Sequence, residues 1–129
     1  MSRRSGTDDA GSAVVGFVLV SLLTTVVFLG VLQVALALHV RATLVDCAAE
    51  GARYGALADR TPADGAARAR ELVAASLSPR FAEQVEGSRA VLGGLDVVRV
   101  EIVAPLPVLG LLGPGGVVEV DGHALAEAP

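Results

Sequence analysis

The sequence predicts an α+β protein: a long N-terminal transmembrane helix extended into a small headpiece of one or two helices and an antiparallel strand pair. Three observations carry that prediction. Residues Ser12 to Leu38 hold no charged side chain. The stretch from His39 to Leu57 contains no proline and repeats small residues at helical spacing. From Leu95 onward the apolar period changes from about 3.6 to two.

The uncharged run follows a polar leader, residues 1–11, that carries Arg3, Arg4, Asp8 and Asp9 and ends in Gly11. Its 27 residues make about 40 Å of helix, more than a hydrocarbon core of about 30 Å requires. Ser12, Ser21, Thr24, Thr25 and Gln33 can return their hydrogen bonds to the helix backbone or a neighbouring helix, so none forbids insertion. The alternatives are a buried core helix and a secretory signal peptide cut near Ala35–Ala37. Against the latter, the apolar run is about twice the usual core of such a peptide. Arg3 and Arg4 before the span are balanced by Arg41 and Arg53 after it, so charge alone leaves the orientation open.

Beyond the span, Leu44, Cys47, Ala48, Gly51, Tyr54, Gly55 and Ala58 fall on one face of a helical extension over residues 39–58. Small residues there permit close approach of another helix. The face suits either assembly with another subunit or packing on the chain's own C-terminal region. Glu50 and Arg53, three apart, read as a surface ion pair worth a few tenths of a kcal/mol.

The headpiece, residues 59–129, opens with a break, DRTPADG at 59–65. Thr61 suits an N-cap, Pro62 the first helical position, and Asp64 stands three after the cap. A second helix is therefore expected from Pro62 to Leu77, with Ala69, Leu72, Val73 and Ser76 facing the core. Ser78–Pro79 ends it. Phe81, Val85 and Val91 suit a short third element. Val98, Val100 and Ile102 then mark one strand, and residues 117–125 (VVEVDGHAL) a second. Residues 105–116 between them, PLPVLGLLGPGG, make a long connection rather than a tight hairpin. Residues 86–92 are available as a third edge strand. A strand pair alone is marginal, so the headpiece needs the long helix or a partner to pack against.

Composition excludes several function classes. A net charge of −4 argues against a nucleic-acid partner, which calls for a basic face. With Phe17, Phe28, Tyr54 and Phe81 as the whole aromatic set, there is no stacking platform. A single cysteine, Cys47, rules out an internal disulfide framework and suits a packing residue. His39 and Cys47 lie eight residues apart on a helix, about 12 Å, too far to share a metal. Glycines 110, 113, 115 and 116 lack the lysine and following helix of a phosphate loop. No catalytic, metal or cofactor site is expected, and the reading is of a non-enzymatic protein. The apolar run 106–112 (LPVLGLL) suits a buried loop, with lipid or a neighbouring subunit as the other occupants.

Leader and span together resemble a known pattern. Residues 11–20 (GSAVVGFVLV) are similar to the processing region of class III, type IV pilin-like signals, where a short polar leader ends in Gly, the cut follows it, and Phe stands near the start of an apolar helix. With the small-residue segment 48–57 (AAEGARYGAL), they resemble the TadE-like family of tight-adherence (Flp-type) pilus assembly proteins over about residues 8–58. The resemblance implies leader cleavage between Gly11 and Ser12 by a prepilin-type peptidase. It also implies a cytoplasmic N-terminus, an extracytoplasmic headpiece, and partners among the lipid bilayer, other pilin-like subunits and the pilus assembly machinery. Gly16, Phe17, Gly51, Tyr54 and Gly55 would belong to the assembly helix. One position departs: a cut after Gly11 makes Gly16 the fifth residue, where pilin-like proteins usually carry Glu, and glycine cannot pair with a neighbouring subunit's terminal amine. That favours a tip, initiating or accessory role over a major pilin. The competing function class is an unprocessed, membrane-tethered extracytoplasmic binding or accessory domain.

Overall fold

The computed structural model describes residues 5–106 and 116–128 and divides the chain into two compact units, Met1–Ala35 and Leu36–Pro129. The expected connection at 107–115, with its apolar run and three of its glycines, lies outside the described residues, as do the first four residues of the leader.

Helix α1 runs Ser5–Gly55 without interruption. In the first unit it is apolar almost throughout, and its large side chains stay exposed: Phe17 at 73%, Leu23 at 64%, Phe28 at 65%. A helix apolar on every side has no self-made core to face, and this one is long and apolar enough to cross a membrane. The Thr25 hydroxyl donates to the Ser21 carbonyl at 2.8 Å, returning a polar group to the helix backbone. Residues from Ser5 to Gly11 already belong to the helix, so the polar leader is helical over its described part.

The second unit contains the end of α1 and everything after it. Here the helix changes character: Val40, Leu44, Cys47, Ala48, Ala52 and Ala56 are all buried. The helix ends at Gly55, three residues before the expected limit, and the chain turns through 56–61.

Helix α2 spans Pro62–Ser76 and begins as its sequence dictates. The Thr61 hydroxyl accepts from the Asp64 N–H at 3.2 Å, and the Asp64 carboxylate accepts from the Thr61 N–H at 2.8 Å. This reciprocal box satisfies two donors that a helix start leaves open. Those bonds, the backbone one first, hold the Asp64 carboxyl below the usual carboxylate range. A depressed pKa contributes stability that is present above the ordinary range and lost as pH falls through the folded value. The buried stripe of α2 is Gly65, Ala66, Ala69 and Val73. Ala69 and Val73 were expected there, whereas Leu72 is half-buried and Ser76 exposed. The two small residues at the start rotate the stripe, because the helix enters tightly against α1. Ser78 caps a short 3₁₀ turn, Pro79–Ala82, which buries Phe81.

Three strands follow: β1 Gln84–Leu92, β2 Leu95–Pro105 and β3 Val117–Leu125, in the order β1-β2-β3 and antiparallel throughout. The expected strand pair β2–β3 is present, and β1 makes it a full three-stranded sheet. What closes the extra hairpin is Gly93–Gly94, with φ of +58° and +80°. Two consecutive positive φ values match the right-handed twist of the flanking strands, and glycine adopts them without steric cost. The inner face of the sheet presents Val85, Val100, Ile102, Ala104, Val118 and Val120 to one core with the helices, and Val98 is buried as well.

Gly122 is where β3 crosses α1. A Cβ placed there would lie 2.5 Å from the Ala48 carbonyl carbon and the Ala49 nitrogen, backbone atoms that cannot swing aside. Gly122→Ala is therefore expected to destabilise the headpiece by about 1–3 kcal/mol through overpacking. Gly30→Ala, with nothing within 4 Å of the added methyl, should leave headpiece stability unchanged. Thermal unfolding of the two variants in detergent micelles, followed by the loss of strand circular dichroism, checks the contrast.

Candidate functional site

Positions expected to carry function fall into three groups along α1. Gly11, Ser12, Gly16 and Phe17 lie in the first unit with exposed surfaces. A Cβ at Gly11 or Gly16 would meet nothing within 4 Å. This part of the helix therefore presents a smooth apolar surface, interrupted at Gly16 by a missing side chain.

Gly51 and Gly55 lie in the second unit and meet α2. A Cβ on Gly51 would stand 2.7 Å from the Gly65 carbonyl oxygen and 2.8 Å from the Ala69 Cβ. One on Gly55 would stand 3.0 Å from the Gly65 Cα and from the Thr61 carbonyl oxygen. The small-residue face thus lets two helix backbones approach closely inside the headpiece, the kind of contact that only glycine and alanine admit. Tyr54, on the flank of that face, is half-buried, and the Arg60 guanidinium sits 4.8 Å from its ring centroid. Glu50 and Arg53 pair at 3.0 Å with both side chains largely exposed, so their ion pair contributes little.

Beside this contact runs a groove lined by Thr43, Asp46, Cys47, Glu50, Arg53, Leu72 and Ser76. Cys47 forms its floor and is only 5% exposed. Burial pushes its thiol above the ordinary cysteine range, the Asp46 carboxylate adds to the effect, and a hydrogen bond with Ser76 opposes it. A raised pKa keeps the thiol neutral and unreactive at physiological pH. It contributes stability that is fully present below the ordinary cysteine range and lost as pH rises through the folded value.

The outer face of the sheet carries a charge network that spacing alone does not reveal. The strand register sets Glu86 opposite Glu101 and Glu101 opposite Asp121, three carboxylates in one row across β1, β2 and β3. Like charges directly opposite repel, and Arg99 answers them. Its guanidinium lies 3.0 Å from Glu101 and 3.3 Å from Asp121. Its Nε is enclosed without a hydrogen bond among the described residues, so attraction to Asp121 there is Coulombic. His123 lies 3.3 Å from the same Asp121 carboxylate. The other histidine, His39, is exposed on α1. Among the described residues no group of three or more His, Cys, Asp or Glu side chains is placed to hold a metal ion. The described parts are an apolar helix surface, a tightly closed headpiece and a polar sheet face.

The account of Cys47 predicts that alkylation by iodoacetamide at pH 8 is at least about tenfold slower in the folded chain than in urea. Mass spectrometry of the alkylated protein reads both rates.

Comparison with known proteins agrees with the first half of this description. No curated protein and no solved structure gives a significant match to the chain. The matched family segment starts at the glycine that ends the polar leader, runs through the apolar part of α1, and stops inside its small-residue face. Residues 11–53, about a third of the chain, match the family model of TadE-like proteins.

Proposed function

We propose that this chain is a membrane-anchored minor pilin or pseudopilin that serves assembly of a tight-adherence pilus or a related secretion system. The observation that carries this reading is the coincidence of the TadE-like match at 11–53 with one unbroken helix, apolar on all sides at first and small-faced where it enters the headpiece. TadE-like proteins are pilus-associated, and the long apolar helix fits a single-pass anchor. In this reading the N-terminus is cytoplasmic and the headpiece extracytoplasmic. The partners are the bilayer, other pilin-like subunits and the assembly machinery, and the work is structural rather than enzymatic.

Gly16 directs the choice of an accessory role. A carboxylate inside hydrocarbon is costly unless another subunit's amine pairs with it, and this chain has neither the cost nor the pairing. It inserts without a neighbour and does not drive stacking by itself. Gly16→Glu should lower the amount of membrane-inserted protein when the chain is expressed alone, at a cost of about 2.5–3.5 kcal/mol on insertion scales, with partial recovery when processed pilin subunits are co-expressed. Quantitative blotting of membranes reads the outcome. Abundant filaments formed by the wild-type chain alone would contradict the accessory role.

Cleavage between Gly11 and Ser12 belongs to the same proposal. That bond lies within α1, and a peptidase must unwind the helix around it. Glycine helps, since it weakens a helix interior by about 0.5–1 kcal/mol relative to alanine. Intact-mass measurement of the membrane-isolated chain, co-expressed with a prepilin-type peptidase, should give a protein that begins at Ser12. Gly11→Leu should leave the leader in place. An uncut wild-type chain under these conditions would favour the unprocessed tethered domain instead.

A further inference from the structure

β3 runs alongside α1, and two contacts fix its level. Gly122 meets the backbone at Ala48 and Ala49, and the Glu127 N–H donates to the Ala56 carbonyl at 2.8 Å. Strand and helix therefore proceed in the same direction. Between these contacts five residues of the strand and tail, from Gly122 to Glu127, advance by eight helix residues, from Ala48 to Ala56, or about 12 Å; the same advance taken back from Gly122 to Val117 reaches the level of about helix residue 40. Burial agrees: Val40 and Leu44 are covered, and they share a core with Ala104, Leu106 and Val118 at this end of the sheet.

Val40 stands two residues after Leu38, the last residue of the uncharged run. Within the second unit, the end of the sheet formed by Pro105 and Val117 thus lies level with the last residues of that run, Leu36 to Leu38. The surface there is apolar where it is open. Val117 is 66% exposed, and Leu106 is only half-buried. The Leu106 N–H donates to the Gly116 carbonyl at 2.7 Å beside them. Arg80 and Glu83 line the adjacent groove with Pro105 and Val117. One charge of each sign suits a zwitterionic headgroup layer, and an arginine can keep its stem in apolar surroundings with its head in the polar layer.

We propose that this end of the headpiece, with Leu106 and Val117 at its surface, docks on the bilayer itself, so that the headpiece is seated on lipid as well as tethered to it. The inference rests on α1 spanning the membrane. Its occupant is a lipid surface, because the uncharged run ends level with this edge at Leu38, and nothing comparable brings a second copy there.

The chain contains no tryptophan, so single tryptophans report their surroundings without background. Three variants of the full chain are reconstituted at low density in phosphatidylcholine vesicles with a quencher attached to the acyl chains: Leu23→Trp within the apolar run, Val117→Trp at the proposed edge, and Val91→Trp at the opposite end of the sheet. All three native side chains are exposed, which leaves the core intact. The proposal predicts blue-shifted emission and loss of most of its intensity for L23W and V117W, with V91W unquenched. Quenching of L23W alone would leave the anchor standing and overturn the docking. Absence of quenching for L23W would overturn the anchor and the docking together. Equal quenching of V117W and V91W would overturn the assignment to this edge. Shielding of V117W only at high protein density, without lipid quenching, would assign the edge to another copy and overturn it as well.

Discussion

Everything in the headpiece depends on how closely other backbone can approach the last part of α1. A small domain has little apolar surface to bury, and here its helices contribute mostly alanine and glycine. Such residues stabilise a fold only if the backbones come near enough to exclude water and make dispersion contacts. Gly51 and Gly65 provide that between the helices: an added Cβ on Gly65 would stand 2.5 Å from the Gly51 carbonyl oxygen. Gly122 provides it between β3 and α1. The few large side chains in the core, Leu44, Ile102 and the inner valines, then fill a space whose width is set by these glycines.

The same helix has two kinds of surface. From Ser12 to Ala35 its side chains are mostly apolar and nearly all exposed, which is stable only in lipid or against partner helices. From Val40 its burial narrows to one stripe and its charged residues take the other side, as in a soluble amphipathic helix. The C-terminal tail reinforces the change of role. Ala126 donates to Asp96 on β2, while the Glu127 backbone and side chain engage Ala56 and Ala58 just past the helix end. The chain thus returns to tie the sheet to the point where α1 stops, and the anchor becomes the spine of the domain it carries.

Much of this was legible in the sequence because the signals were local. The capping box at Thr61–Asp64, the uncharged run and the alternation in β2 and β3 each arise within a few residues. The edge strand, read from sequence only as an available extra at 86–92, shows what local patterns conceal. β1 carries Glu86, Ser88 and Arg89 among few apolar residues, so its alternation is weak, and it is fixed by pairing with β2 through Gly93–Gly94. That glycine pair between Leu92 and Leu95 was the available signal. The buried stripe of α2 shifted toward Gly65 and Ala66 because closeness to α1, not side-chain size, decides which face turns inward. Arg99 was invisible as the centre of a charge network, since three strands must come into register before its partners share a row. The family resemblance was legible where the match lies, at 11–53, and the geometry adds that Gly51 and Gly55 serve contacts within the chain.

The central claim is that residues 40–56 of α1 fold with the headpiece, although they are continuous with an apolar helix that does not need it. Hydrogen exchange of the full chain in lipid nanodiscs, across a series of urea concentrations, tests this most directly. Amides of Leu44 to Ala52 should lose protection together with those of Val98 to Ile102, as one cooperative unit, while Val18 to Leu32 remain protected. Protection of Leu44 to Ala52 that persists after the sheet has exchanged, or is lost well before it, would contradict the account.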